Sequence, residues 1–162
     1  MNFPILSSLI LLPAVGALFL FFTRSNKENN ITVKYVALFT SLVNFFLSIY
    51  LWILFDQSTS EFQFVEDRVW IKDLINYKVG IDGISILFIV LTTFITPICI
   101  ISCVNSVKTR VKEFLIAILI LETFMIGVFC SLDLVIFYLF FEAGLIPMFL
   151  IIGVWGGPRR VY

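Results

Sequence analysis

FYLFFEAGLIPMFLIIGVWGG, residues 137–157, decides the class of this chain. The run is long and apolar enough to cross a bilayer, which takes about 20 residues. It nevertheless holds a carboxylate, Glu142, near its middle and a proline, Pro147, shortly after it. A charged acid at the centre of a spanning helix costs about 2.5 kcal/mol or more, so Glu142 needs a reason to be there. One reason is a neutral carboxyl bonded to a neighbouring helix. The other is a proton-relay group facing a hydrated cavity. The neighbours favour the relay. Pro147 cannot donate to the carbonyl of Ala143 and is expected to kink the helix. A carbonyl freed at that depth is tolerated where water or polar groups reach it. Gly144 removes bulk on the same stretch. The later run Gly156-Gly157-Pro158 simply ends the helix.

Composition agrees with the stretch. Of 162 residues, 60% are hydrophobic, against 45–50% in an average soluble domain. Basic and acidic residues number 11 each, so no net charge attracts nucleic acid. The 3 cysteines are too few for a disulfide framework. Cys99 and Cys103 share a helical face, but without further ligands nearby they read as small packing residues rather than a metal or redox pair. The sequence contains neither a dinucleotide fingerprint nor a phosphate-binding loop. Any redox chemistry is therefore expected in a partner.

Five spans follow from hydropathy, at about 3–23, 33–55, 80–103, 113–131 and 133–155, in a single membrane domain covering 1–162. The expected class is an all-α membrane protein with five transmembrane helices. The first span lacks a basic leading region and reads as a retained helix, not a signal peptide. Segments 24–34, 104–113 and 157–162 together carry eight basic residues and two acids, whereas loop 56–82 carries three basic residues and six acids. Positive segments face the cytoplasm or matrix. The N-terminus and loop 56–82 are then outer and the C-terminal tail inner. The loop alternates somewhat over SEFQFVEDRVWIKD, enough for a small hairpin. The preferred expectation is a solvated connector, with Trp70 and Tyr77 at the membrane interface.

A second intramembrane acid is Glu122, in ILILETFMIGVF. Glu122 and Glu142 lie about ten residues either side of the turn near Asp133, hence each roughly 15 Å from the surface and near mid-membrane. Two carboxylates at one depth on neighbouring helices are expected to line a shared polar seam.

These residues also carry a resemblance. LDLVIFYLFFEAGLIPMFLIIGVWGG (132–157) resembles the fifth-helix region of the antiporter-like subunit 4 family of respiratory NADH:ubiquinone oxidoreductase, complex I. GIDGISILFIVLTTFITPICI (80–100) is similar to that family's third helix and its entry, and FQFVEDRVWI (62–71) to the segment before it. The resemblance implies an N-terminal part of a proton-pumping subunit of about fourteen helices built from inverted repeats. It implies proton transfer by Glu142 and a less certain proton-transfer role for Glu122. It implies that no cofactor is bound here, since NADH, FMN, iron–sulfur clusters and ubiquinone lie in partner subunits. The family's later lysines have no counterpart in these residues, so a split or truncated subunit is expected. The implied partners are other membrane-arm subunits, a second polypeptide carrying the remaining helices, and membrane lipids. Organelle encoding and the mitochondrial inner membrane are the expected setting. Two rivals stay open at this stage: part of a multi-subunit cation/proton antiporter, and a non-catalytic membrane-arm scaffold.

Overall fold

The computed structural model describes residues 4–23, 30–71, 75–107 and 109–157. Among the described residues, five helices are long and apolar enough to cross a membrane. They are α1 (Ile5–Phe22), α2 (Asn30–Leu54), α3 (Ser85–Ser106), α4 (Val111–Cys130) and α5 (Leu134–Trp155). Between α2 and α3 stands an antiparallel hairpin, β1 (Gln63–Ile71) and β2 (Ile75–Ile81).

The hairpin corrects two expectations. Within loop 56–82, where a solvated connector was expected, Gln63–Ile71 and Ile75–Ile81 pair as two strands. The third helix begins at Ser85 instead of 80, because β2 continues the ladder to Ile81, opposite Gln63. Asp82 and Ser85 then mark the change of structure. The Ser85 backbone N–H and hydroxyl donate to Asp82 Oδ1, and the Asp82 N–H donates to Ser85 Oγ. This reciprocal pair satisfies donors that a helix start otherwise leaves open. Tyr77 is half-buried, with its hydroxyl 3.1 Å from Ser7 Oγ. The side chain of Trp70 lies outside the described residues.

The two ends of the bundle are built differently. At one end the hairpin holds the helices. Backbone N–H groups of Leu6 and Ser7 donate to the Glu66 carboxylate on β1, and the Ser7 hydroxyl also donates to it. The Leu132 N–H donates to the Lys78 carbonyl, and Val79 bridges to Ser131, which ties β2 to the α4–α5 turn. At the other end, Lys112 donates to the carbonyls of Phe21 and Thr23 at 2.8 and 2.7 Å. The Trp155 indole donates to the Thr109 carbonyl. The hairpin end is the acidic end of the sequence analysis and the Lys112 end the basic one.

Apolar residues form two clusters along the bundle axis. One, near the hairpin, includes Leu6, Leu9, Leu51, Val79, Ile89 and Ile126. The other, near the basic end, includes Leu20, Val33, Ala37, Ile100, Leu115 and Leu119. Between them α2, α3 and α4 contribute a band of buried polar side chains: Ser41, Asn44, Ser48, Thr93, Thr96, Glu122 and Thr123. Most of its hydroxyls bond carbonyls one turn back, as Ser and Thr do within helices.

Helix α5 is the outlying member. Only 11% of its spanning window is buried, against 56% for α4. Ile136 and Pro147 are its buried residues, and Phe140, Ala143 and Gly144 are half-buried along the same face. That face seats on α4 where Gly127 leaves room. A methyl built on Gly127 would fall 2.6 Å from the Phe140 ring.

Candidate proton-transfer site

Glu122 occupies the polar band between the two apolar clusters. It is 2% exposed. Asn44, on α2, donates from Nδ2 to Glu122 Oε1 at 2.9 Å. Asn44 is fully buried. The remaining oxygens of the pair, Asn44 Oδ1 and Glu122 Oε2, are buried without a hydrogen-bond partner. One turn along α2, Ser48 Oγ lies 2.7 Å from Thr93 Oγ1 of α3. Polar contacts therefore join α2 to α4 and to α3 within about one helical turn. The sequence reading missed Asn44. Its signal was present, because Ser41, Asn44 and Ser48 recur at three- and four-residue steps and so share one face of a helix.

Glu142 sits elsewhere. It is exposed, on the side of α5 turned away from α4. Tyr138, one turn earlier, interacts with it through its side chain. Pro147 and Gly144 belong instead to the packed side, where Gly144 faces Phe124 of α4. Helix α5 continues unbroken through Pro147. The expected shared seam does not form within these residues. Glu122 faces α2 and α3, and Glu142 faces out of the bundle.

A cleft of about 670 Å³ runs along α3 and α4, with Glu122, Thr92, Thr96, Cys99, Ser102 and Cys103 among its lining. Cys99 and Cys103 therefore open onto this cleft rather than packing into a core. A second cleft, of about 760 Å³, lies between α1, α4 and α5 beneath the hairpin.

With this geometry in hand, the relatives are informative. The chain is 50% identical to NADH-ubiquinone oxidoreductase chain 4 of Marchantia polymorpha, across 96% of this chain and 31% of the relative. It is 48% identical to NADH-quinone oxidoreductase subunit M of Rickettsia conorii, across 100% of this chain and 34% of the relative. The chain belongs to this chain 4/subunit M family. The subunit M of Rhodobacter capsulatus is 60% identical across 80% of this chain and 25% of the relative. The chain spans about a third of the length of the curated relatives it matches. No family model matches it. Five spanning helices suit a membrane-embedded member of the family.

Proposed function

We propose that these residues form the N-terminal five-helix part of the antiporter-like, proton-pumping chain 4 of respiratory complex I, in the mitochondrial inner membrane. Oxidoreduction of NADH and ubiquinone belongs to the assembled enzyme. NADH, FMN, iron–sulfur clusters and ubiquinone are held by partner subunits, and this chain contributes proton-carrying groups. The plant and bacterial relatives support the reading, and the mitochondrial setting agrees with the plant ones.

The observation that carries the reading is the outward aim of Glu142. A carboxyl at mid-membrane on the outer side of α5 is costly against lipid. It becomes tolerable when further helices of the same subunit cover that side and bring a lysine or a water chain to it. A lysine about 4–6 Å away favours the ionised carboxylate, and its withdrawal favours the neutral acid. One group then has two proton affinities, which a pump requires. Glu122, enclosed by α2 and α3, has a secondary part.

The test is Glu142→Gln in the assembled enzyme. The substitution keeps size and hydrogen bonding but carries no exchangeable charge. Most coupled proton pumping is lost, and Glu142→Asp restores part of it. Undiminished pumping by Glu142→Gln refutes the role. Mass spectrometry of the intact assembly identifies the chain that carries the remaining helices; an assembly without complex I subunits refutes the family-level function.

A further inference from the structure

The α3–α4 cleft is apolar along most of its wall, and most of its polar groups lie on the α3 side of one half. Its ends can be placed from one contact. Phe88 of α3 and Phe129 of α4 stack, with centroids 5.2 Å apart. The two helices are antiparallel neighbours, so seven residues along each places Glu122 level with Ile95, roughly 10 Å farther from the hairpin. Between that level and the hairpin the lining is Phe88, Leu91, Met125 and Phe129, relieved only by Thr92. Between that level and the basic end, α3 presents Thr96, Cys99, Ser102 and Cys103 on successive turns, facing Phe114, Ile118 and Leu121 of α4 and Ile151 of α5. Water enters a cavity that is roomy and offers several polar partners, and stays out of a purely apolar one.

The Glu122–Asn44 pair supplies a second, independent observation. Two buried oxygens, one on each side chain, are left over beside a bond that already joins the two groups. Such buried orphans are uncommon and call for a cause. As acceptors only, Asn44 Oδ1 and an ionised Glu122 Oε2 cannot satisfy each other. With a proton on Oε2, the acid donates to Asn44 Oδ1 while accepting from Asn44 Nδ2. In that arrangement neither oxygen is left without a partner.

We propose that Glu122 is a proton-exchange site that communicates with the basic end of the bundle through water in the α3–α4 cleft, with Asn44 as the residue that positions its carboxyl. Release of the proton leaves a carboxylate still held by the Asn44 amide, and the proton passes to water in the cleft. Cys99 and Cys103 are the other titratable groups lining that cleft, to which α5 brings Ile151; α2 meets Glu122 with the neutral Asn44. The site does not depend on the chain's place in an oxidoreductase, and the tests below read no turnover.

The cysteines are native reporters. A charged, membrane-impermeant methanethiosulfonate reagent is applied to sealed native membranes in each orientation, and labelling is read by mass spectrometry. Cys103 and Cys99 react from the basic face, with Cys103 the faster. Cys130, fully buried near the hairpin, stays unlabelled. Absence of labelling, or labelling mainly from the hairpin face, overturns the path. Infrared difference spectra test the pair. The carbonyl band of a protonated carboxylic acid that Glu122→Gln removes shifts in Asn44→Leu and is largely retained in Asn44→Gln. An unshifted band in Asn44→Leu, or no band lost in Glu122→Gln, overturns the assignment. If Asn44→Leu does not fold, the Asn44→Gln and Glu122→Gln spectra and the thiol labelling still decide.

Discussion

Glu66 illustrates how a single residue serves a helix far from it in sequence. Helix α1 starts at Pro4 without a side-chain cap of its own, and Glu66 accepts two of its leading N–H groups across 60 and 59 positions. Glu66→Ala removes those acceptors and the favourable charge at the helix start. A loss of about 1 kcal/mol is expected, read as faster amide exchange at Leu6 and Ser7. Asp82 does similar work at α3 with a pH signature. Its bonds from Ser85 hold the carboxyl below its ordinary 3.8. A depressed folded value means that the contribution is complete above the ordinary range and fades as pH falls toward the folded value. Exchange at Ser85 and Ile86 therefore accelerates selectively in mild acid, and Asp82→Asn removes that dependence. Tyr77 behaves oppositely. Burial raises its phenol above 10.0, so its ultraviolet titration is displaced to higher pH than that of a free tyrosine. Its neutral-form contribution is present below the ordinary value and lost as pH climbs past it.

At the scale of elements, the helices were plain in the sequence because apolar runs of spanning length have few alternatives. The hairpin was less plain. Phe64 adopts φ 54°, and the register shifts between Gln63 and Glu66. An irregularity of this kind breaks the two-residue alternation on which strand recognition depends. Asn44 was legible in principle through the spacing of Ser41 and Ser48; its contact with Glu122, 78 residues away, was not, because local pattern does not say which helices adjoin. The outward aim of Glu142 likewise depends on which side α4 occupies. That contact can be perturbed at Gly127. Gly127→Leu drives a branched side chain into the position of the Phe140 ring, and overpacking of this sort costs about 1–3 kcal/mol. The expected outcome is a displaced α5 with the remaining four-helix contacts kept. Cysteine cross-linking across the α4–α5 face checks it, and unchanged cross-linking yields in Gly127→Leu would contradict the close seat.

For the whole molecule, the charge split of the sequence coincides with its two structural ends. The hairpin and the α4–α5 turn lie together, as do Lys112 and the end of α1. The inner-positive arrangement therefore predicts that an impermeant label reaches Lys78, which is half exposed, from the outer face of sealed membranes, and reaches Arg110 from the inner face. Labelling of Lys78 from the inner face would reverse the topology. What the residues alone conveyed least was the sorting of the two acids, one enclosed within the bundle and the other presented to whatever adjoins α5. A carboxylate reads the same in a one-dimensional string whichever way its helix turns.

The caps of α1 have a consequence for biogenesis. The helix has no charged side chain of its own, and its two ends are completed by Glu66 and by Lys112, whose bonds to Phe21 and Thr23 reach back 91 and 89 positions. During synthesis α1 therefore leaves the ribosome well before either residue exists. It enters the bilayer with no internal instruction about its docking, and the opposite charges that match its dipole arrive only with the hairpin and with α4. The earliest of these helices to be made thus waits for the fourth before both its ends are completed, and insertion of α4 becomes the event that commits it.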